Sequence, residues 1–317
     1  MLAPAVSLEH FMWLRFFGEF YSRVILYSWG CGLALFKVVG VVSRRDRIAA
    51  LKLAATIQQE LEKRGLKTLL EPRLAKFMKR SELATPLKRM QCDLIITVGG
   101  DGTILRVCLA IPKPEPPILA INMGARGFLA EVPPEKALEA VDRCLRGDYT
   151  IERCWKLSAA VGQEKLPDAL NDIFITSKAP AKLTYVDVLK DGEKIMEYGA
   201  DGLIIATQTG STGYSLSAGG SILDPDVEAI SLTPVAPLPY YRPLILPLDS
   251  RIEIRVLRPK QALIIVDGQY VREMGREKSL VILGKSEHET RFIRFECKFY
   301  ARLMNRLFPK RGAKQDG

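Results

Sequence analysis

The stretch CDLIITVGGDGTILRV, residues 92–107, decides the fold class. Residues 94–98 are a short continuous apolar run, which is typical of a parallel strand covered on both faces. Three glycines around Asp101 follow the run, and a helix is expected to begin at Ile104. A glycine-rich turn between a buried strand and a helix indicates an open α/β sheet, whose ligand lies at the carboxyl ends of the strands.

Strands and helices alternate on both sides of this stretch. Apolar runs predict further strands at residues 35–42, 67–71 and 118–122. Asp46 is expected to cap a helix that ends at Gly65, and a later helix ends at Gly147. This alternation predicts a largely parallel sheet in a Rossmann-like α/β domain over residues 35–147.

Strand patterns dominate after Gly147. The dipeptide Asp191-Gly192 lies between strand patterns at residues 183–189 and 194–198, and it predicts a hairpin because both turn positions need a positive φ. Further strands are expected at residues 153–161, 173–176, 203–207, 251–257, 262–266, 280–283 and 292–296. Residues 148–297 are therefore predicted to form an all-β domain. Residues 298–317 are predicted to form a helix that returns to the first domain and a basic tail.

Composition limits the classes of function. The chain has 317 residues, of which 48% are hydrophobic and 26% charged, and this balance indicates a globular protein of two domains. Its two histidines, His10 and His288, provide no zinc site of neighbouring histidines. Six scattered cysteines indicate free thiols in a reducing compartment, which predicts a cytoplasmic protein. The net charge of +10 suits the binding of anionic small molecules. The sequence has no long basic tract with interleaved aromatic residues, which is the pattern that would indicate nucleic-acid binding.

Residues 1–34 are predicted to be an extension outside the fold. Residues 24–42 are almost long enough to cross a bilayer, but Lys37 interrupts the run and three glycines weaken it. We therefore expect the first strand here and no membrane partner. A membrane anchor is the alternative, and recovery of the protein in the membrane pellet would favour it.

The glycine-rich turn has the features of a phosphate loop. Gly99, Gly100 and Gly102 allow successive backbone N–H groups to point into one concavity. This concavity lies next to the N-terminus of the predicted helix, which follows Thr103, and such a place binds phosphate. Asp101 would repel phosphates unless it accepts a proton from an attacking hydroxyl or holds Mg²⁺ through water. The alternative is an ordinary turn in which Asp101 caps the helix.

A second polar segment, residues 208–220, has many hydroxyl groups, one aromatic ring and no charge. Such a segment can hold a nucleoside, with the Tyr214 ring over a base or ribose. Asp201 and the pair Asn171-Asp172 precede strands and supply groups that suit ribose hydroxyls and base edges. A flexible linker and ordinary strand-entry polar residues are the alternatives.

The sequence contains four motif blocks: VGGDGTILR at 98–106, NMGARGFLAE at 122–131, LNDIFI at 170–175 and GADGLIIATQTGSTGYSLSAGGSILDP at 199–225. Together these blocks resemble the NAD kinase family, whose members use ATP or polyphosphate. The resemblance covers about residues 36–309. Lipid kinases and phosphofructokinases share the Gly-Gly-Asp-Gly motif, whereas the last block is specific to NAD kinases.

The resemblance implies a role for each matched residue. Asp101 is expected beside the ribose 2′-hydroxyl of NAD as general base, and the phosphate-binding residues would be Gly99, Gly100, Gly102 and Thr103. Asn171 and Asp172 would contact the nicotinamide nucleoside. The residues expected at the adenine half are Thr212, Gly213, Tyr214 and Ser217. The remaining matched NAD-binding residues are Gly127, Phe128 and Asp201.

The resemblance also implies a reaction and its partners. A phosphoryl group would pass from ATP or polyphosphate to NAD with Mg²⁺ or another divalent cation that no protein cage holds, in a homodimer or homotetramer. A lipid or sphingoid kinase and a non-catalytic nucleotide sensor are the alternatives. The chain departs from the family pattern at Gln208 and Ser221, where proline is usual, and at Gly213, where alanine is usual. Tyr240-Tyr241 stands in a region where many members carry a histidine.

Overall fold

The computed structural model describes residues 36–124, 127–238, 241–274, 279–296 and 299–307. The predicted extension at residues 1–34 and the basic tail at 308–317 lie outside the described residues, as does Tyr240. Measured over the described residues, no helix combines the length and the apolar character that a membrane crossing requires.

Sixteen strands and six α-helices form in the described part of the chain. The strands are β1 (Val38–Ser43), β2 (Lys67–Leu70), β3 (Leu94–Gly99), β4 (Ile118–Asn122), β5 (Thr150–Val161), β6 (Glu164–Lys165), β7 (Asp172–Ser177), β8 (Thr184–Lys190), β9 (Glu193–Ala200), β10 (Gly202–Ala206), β11 (Ala229–Val235), β12 (Leu244–Pro247), β13 (Ile252–Arg258), β14 (Ala262–Val266), β15 (Tyr270–Met274) and β16 (Ser279–Arg294). The helices are α1 (Ile48–Lys63), α2 (Pro72–Phe77), α3 (Asp101–Ala110), α4 (Ala137–Leu145), α5 (Tyr214–Ser217) and α6 (Phe299–Leu307).

The first sheet begins as a parallel α/β layer. Strands β2, β1, β3 and β4 are adjacent in that order and parallel. Helices α1 and α4 cover one face of these strands, and α3 covers the other. All six residues of β3 are buried as a result, which confirms the prediction of a strand covered on both faces.

The second sheet is antiparallel and lies against the β-rich half of the first. Its order is β12-β11-β10-β7-β14-β15. One apolar core joins the two sheets, with Ile173 and Ile205 from the second sheet and Val188, Ile254 and Ile282 from the first. The carboxyl end of β10 and the start of β7 are neighbours, because Ala206 pairs with Asp172.

The turn predictions are confirmed. Asp191 and Gly192 have φ values of 52° and 89° between β8 and β9, as the hairpin requires. Gly65 and Gly147 follow α1 and α4 with φ values of 76° and 81°. Helix α6 returns as predicted, since the Phe299 ring packs edge-on against Phe128 at 5.3 Å between ring centroids.

Three details differ from the sequence predictions. Helix α3 begins at Asp101 and not at Ile104, because Asp101, Gly102 and Thr103 of the glycine loop already belong to its first turn. Asp46 does not cap α1; its carboxylate pairs with Arg44 at 2.7 Å. The strands predicted at residues 280–283 and 292–296 are one strand, β16. Polar residues between them interrupt the apolar pattern, although the backbone stays paired with β5 through two register shifts.

Strand β16 also crosses the predicted domain boundary. It pairs with β5 and β13 of the β-rich half, and Phe292 pairs in parallel with Ile118 of β4. The first sheet is therefore continuous from the α/β half to the β-rich half. The boundary at residue 147 stays a prediction.

A buried charged cluster lies where the two halves meet. The Glu115 carboxylate, before β4, pairs with the ammonium groups of Lys156 on β5 and Lys113. Thr290 Oγ1 on β16 donates a hydrogen bond to Glu115 Oε2 at 2.7 Å. The side chains of Glu115 and Lys156 are 1% and 0% exposed, so each charge depends on the other for compensation.

Substitution Glu115→Gln is expected to destabilise the fold, because it leaves the Lys156 charge buried without its counter-ion. The free energy of unfolding in urea should fall by roughly 3–5 kcal/mol. Glu193→Gln, at an exposed carboxylate on β9, is the matched control and should leave it unchanged. Equal stability of the two variants would contradict the role given to the cluster.

Candidate active site

A cavity of about 280 Å³ lies between the phosphate loop, residues 99–103, and the end of β10. Its lining residues are Asp101, Phe128, Leu129, Asn171, Thr209, Thr212, Gly213, Tyr214 and Ser217. Seven of these, all except Leu129 and Thr209, were predicted as site residues from the sequence. The structure therefore brings the Gly-Gly-Asp-Gly motif and the hydroxyl-rich segment to one cavity.

The Asp101 carboxylate is held by the backbone of a neighbouring loop. Its Oδ2 accepts the N–H of Phe128 at 2.9 Å, and its Oδ1 accepts the N–H groups of Leu129 at 3.0 Å and Ala130 at 3.4 Å. Asp101 is also the first residue of α3, so its backbone places the carboxylate at the helix N-terminus. These contacts fix the orientation of the carboxylate before any ligand binds.

The glycines of the phosphate loop have two different roles. A Cβ at Gly99 would overlap the Thr103 side chain, which is buried beneath the loop. A Cβ at Gly100 would meet no atom within 4 Å, and at Gly102 the nearest atom would be Gln269 Nε2 at 3.8 Å. Gly100 and Gly102 thus leave open space beside the first turn of α3, where helical N–H groups have no intrahelical acceptor and favour an anion.

Arginines surround the same edge of the sheet. Arg44, Arg45 and Arg47 follow β1, and Arg106 lies on α3. They share few carboxylates: Arg44 pairs with Asp46, while Arg45 and Arg106 both pair with Glu71. Arg47 Nη1 donates to the Met123 carbonyl oxygen at 2.7 Å. Four guanidinium groups against three carboxylates, those of Asp46, Glu71 and Asp101, leave this edge with a positive excess, which favours a phosphorylated ligand.

Close backbone contacts fix the β-rich side of the cavity. Thr207 N–H donates to the Asn171 carbonyl oxygen at 2.9 Å, and Thr207 Oγ1 donates to the Leu170 carbonyl oxygen at 2.6 Å. A Cβ at Gly210 would overlap the Asn171 carbonyl oxygen, so only glycine permits this approach. Asn171 Oδ1 is buried with no hydrogen-bond partner in the described part of the chain, which makes it a candidate ligand contact.

The hydroxyl-rich segment adds an aromatic surface. The Tyr214 ring is 45% exposed and packs edge-on against Phe174 at 5.2 Å between centroids. Thr212 Oγ1 donates to the Thr209 carbonyl oxygen at 3.0 Å, and Ser217 is exposed at the end of α5. A rigid ring beside hydroxyl groups suits a nucleoside.

Besides the four phosphate-loop residues Gly99, Gly100, Gly102 and Thr103, three predicted NAD-binding residues lie outside this cavity lining. Asp172 is buried at the start of β7, and Gly127 lies beside the Asn122 side chain. Asp201 is exposed and directly precedes the five-residue strand β10, whose other end leads to the cavity. The length of this strand separates Asp201 from the cavity end of β10 by about 16 Å. The NAD-binding roles of these three residues stay predictions.

Sequence reasoning missed a buried carboxylate behind the cavity. Asp267 follows β14, and its side chain accepts the N–H groups of Leu170 at 2.9 Å, Asn171 at 2.7 Å and Asp172 at 3.1 Å. Asp267-Gly268 carries the same turn signal as Asp191-Gly192, but the signal predicts only a hairpin. Nothing in the local pattern indicates that this carboxylate faces the start of β7.

Two buried carboxylates therefore lie close together. Burial, with the Asp267 charge nearby, raises the pKa of Asp172 to about 7. Burial also raises the pKa of Asp267 to about 6, although three N–H groups favour its charged form. Folded Asp172 keeps its proton up to about pH 7, whereas an unfolded aspartate releases it near pH 4. The folded state binds more protons in this window, so this group lowers stability as the pH rises through it.

Asp172→Asn removes this cost. In urea unfolding without ligand, the variant should gain stability relative to the wild type, and the gain should be larger at about pH 8 than at about pH 5 by ~1–3 kcal/mol. Asp249→Asn, at an exposed carboxylate, is the control and should show no such trend. If the stability gain of Asp172→Asn did not change with pH, it would contradict the free-energy cost assigned to ionising the buried Asp172 carboxyl group.

Comparison with known proteins places both halves of this site in one family. The ATP-NAD kinase N-terminal domain model matches residues 39–149, and the ATP-NAD kinase C-terminal domain model matches residues 170–295. The NAD kinase of Methanothermobacter thermautotrophicus is 39% identical over 272 residues, which cover 85% of this chain and 95% of that protein. The NAD kinase of Thermococcus sibiricus is 42% identical over 264 residues, which cover 82% of this chain and 95% of that protein.

A solved structure agrees with these sequence matches. The NAD kinase from Archaeoglobus fulgidus, in complex with ATP, superposes with a TM-score of 0.68 at 29% identity. The match covers 85% of this chain and 98% of that one. The chain therefore belongs to the ATP-NAD kinase family.

Proposed function

We propose that this chain is an NAD kinase that transfers a phosphoryl group to the 2′-hydroxyl of the adenosine ribose of NAD, forming NADP. The observation that carries the proposal is the single cavity that Asp101 shares with residues 212–217. Asp101 is the only carboxylate among the described residues that line it. It is therefore the candidate general base for the attacking hydroxyl.

The acceptor would occupy the β-rich side of the cavity. Thr212, Gly213, Tyr214 and Ser217 would hold the adenine half, and Asn171 would use its unpaired Oδ1 to read a polar group of the dinucleotide. In this pose a ribose hydroxyl would face Asp101, whose orientation the N–H groups of residues 128–130 already fix. Such preorganisation lowers the cost of aligning the reacting groups.

The phosphoryl donor would lie on the other side of Asp101. Gly100 and Gly102 leave room beside the N-terminus of α3, and the arginines after β1 make that edge positive. The related Archaeoglobus fulgidus kinase was solved with ATP, which supports ATP as the donor here. Polyphosphate would meet the same anion-binding surface and is the second candidate donor.

Mg²⁺ or another divalent cation would be held chiefly by the donor phosphates. Within the described residues, no group of three or more His, Cys, Asp or Glu side chains could hold a metal. One nearby carboxylate, Asp101, fits a cation that keeps several waters and binds mainly to substrate phosphates. Bound there, the cation would neutralise charge on the transferring phosphoryl group.

The assembly and cellular location are also part of the proposal. By analogy with the family, we expect a homodimer or homotetramer. The cytoplasm is the expected location, because Cys108, Cys144 and Cys154 are buried free thiols. The lipid kinase and nucleotide-sensor alternatives are not favoured, because both family models match across the chain.

The purified chain is expected to form NADP from NAD, Mg²⁺ and either ATP or polyphosphate. Asp101→Asn should lower turnover by at least ~10²-fold while NAD still binds, because the amide cannot take the proton. Asp249→Asn, at an exposed carboxylate before β13, is the matched control and should keep wild-type turnover.

Two results would count against this proposal. A wild-type chain that forms no NADP with either donor would refute the function. Near-normal turnover in Asp101→Asn would remove Asp101 from the role of base and leave the function itself intact.

A further inference from the structure

The short turn at residues 266–269 joins β14 to β15 and contacts both sides of the cavity. Gln269 N–H donates to the Val266 carbonyl oxygen at 3.0 Å, which closes the turn. Its central residues, Asp267 and Gly268, have φ values of 50° and 65°, as in a type I′ turn. This tight geometry sends the two polar side chains of the turn to different elements.

Asp267 holds the β-rich side. Its carboxylate accepts three successive N–H groups, from Leu170, Asn171 and Asp172, and its own N–H donates to the Asp172 carbonyl oxygen at 2.9 Å. The peptide that carries Asn171 into the cavity is therefore fixed from behind. Asp267 is 4% exposed, so its carboxylate reaches no bulk solvent and acts through the backbone it binds.

Gln269 holds the phosphate loop. Its Nε2 donates to the Gly102 carbonyl oxygen at 3.0 Å, a contact between residues 167 positions apart in the chain. Gly102 follows Asp101 directly, in the first turn of α3. The Gln269 side chain is itself exposed, so core packing does not explain its position over the loop.

On the basis of the proposed function, we propose that residues 266–269 form a clasp that sets the separation between the phosphate loop and the Asn171 peptide. Asp267 and Gln269 are its positioning residues. Phosphoryl transfer needs the donor and the acceptor hydroxyl in line, and the two sides of the cavity carry one each. A displacement of about 1 Å between reacting groups can cost ~10²-fold in rate, so the hydrogen bond that ties Gln269 to the phosphate loop matters for turnover.

Steady-state kinetics of Gln269→Ala test the clasp at its exposed end. The variant should lose about tenfold or more in kcat, with the KM for NAD changed by less than about threefold and an unchanged melting temperature. Gln269→Glu keeps the shape of the side chain but has no N–H for Gly102, so it should lose at least as much. Gln261→Ala, an exposed glutamine just before β14, is the matched control and should keep wild-type kinetics.

Asp267→Asn tests the buried end. The amide cannot accept all three N–H groups, so the Asn171 peptide should shift and the KM for NAD should rise several-fold. The clasp thus predicts different kinetic effects at its two ends: loss of the Gln269 contact mainly lowers kcat, and loss of the Asp267 contacts mainly raises the KM for NAD. A loss of folded protein would lower the apparent kcat of both variants and leave the KM for NAD unchanged in both.

Several outcomes would overturn the clasp. They are a Gln269→Ala kcat within about twofold of wild type, a rise in its KM for NAD with kcat unchanged, or a fall in kcat explained by loss of folded protein. A Gln269→Glu variant with full turnover would also overturn it. The wild-type assay separates this result from the function: an inactive wild type refutes the proposed function, whereas an active wild type with an equally active Gln269→Ala refutes only the clasp.

Discussion

The contact between the Asp101 carboxylate and three successive backbone N–H groups is the interaction on which the site depends. The carboxylate enters the cavity from the first turn of α3, and the N–H groups come from residues 128–130 of the loop after β4. A carboxylate that accepts several N–H groups has one strongly preferred orientation. The position of this loop therefore decides where the candidate base points.

Residues distant in sequence hold that loop. Arg294, at the end of β16, donates from Nη1 to the Leu129 carbonyl oxygen at 2.7 Å and pairs with Glu152 at 2.5 Å. Arg302 on α6 reaches Glu152 as well, at 3.3 Å, and the Phe299 ring packs on Phe128. The return of the C-terminal helix thus has a direct consequence for the site, because it completes the support behind the Asp101 contact.

The fold and the centre of the site could be predicted because their signals are local. The buried run of β3, the Asp191-Gly192 turn and the glycines around Asp101 each determine nearby backbone geometry through side-chain size or φ preference. The continuous course of β16 could not be predicted, since residues 285–291 in its middle are all polar or charged and show no apolar alternation, although Ser286 and Thr290 are buried. The start of α3 was placed too late because glycine is a poor helix former in isolation, whereas here the loop and the first turn coincide.

The unpredicted parts of the site depend on long-range contacts. Asp267 and Gln269 belong to an ordinary turn by local pattern, and only the folded chain brings them against β7 and Gly102. The Glu115–Lys156 pair likewise joins segments that no spacing rule connects. Asp201 shows the opposite case: a motif residue matched by resemblance lies before β10, away from the described cavity of the same chain.

A crystal structure of the protein with NAD bound would test the central claim most directly. The account predicts that an Asp101 carboxylate oxygen lies about 2.6–3.2 Å from the 2′-oxygen of the adenosine ribose, with the adenine beside Tyr214. NAD bound in this cavity with its 2′-oxygen beyond hydrogen-bond reach of Asp101, or bound elsewhere on the protein, would contradict it.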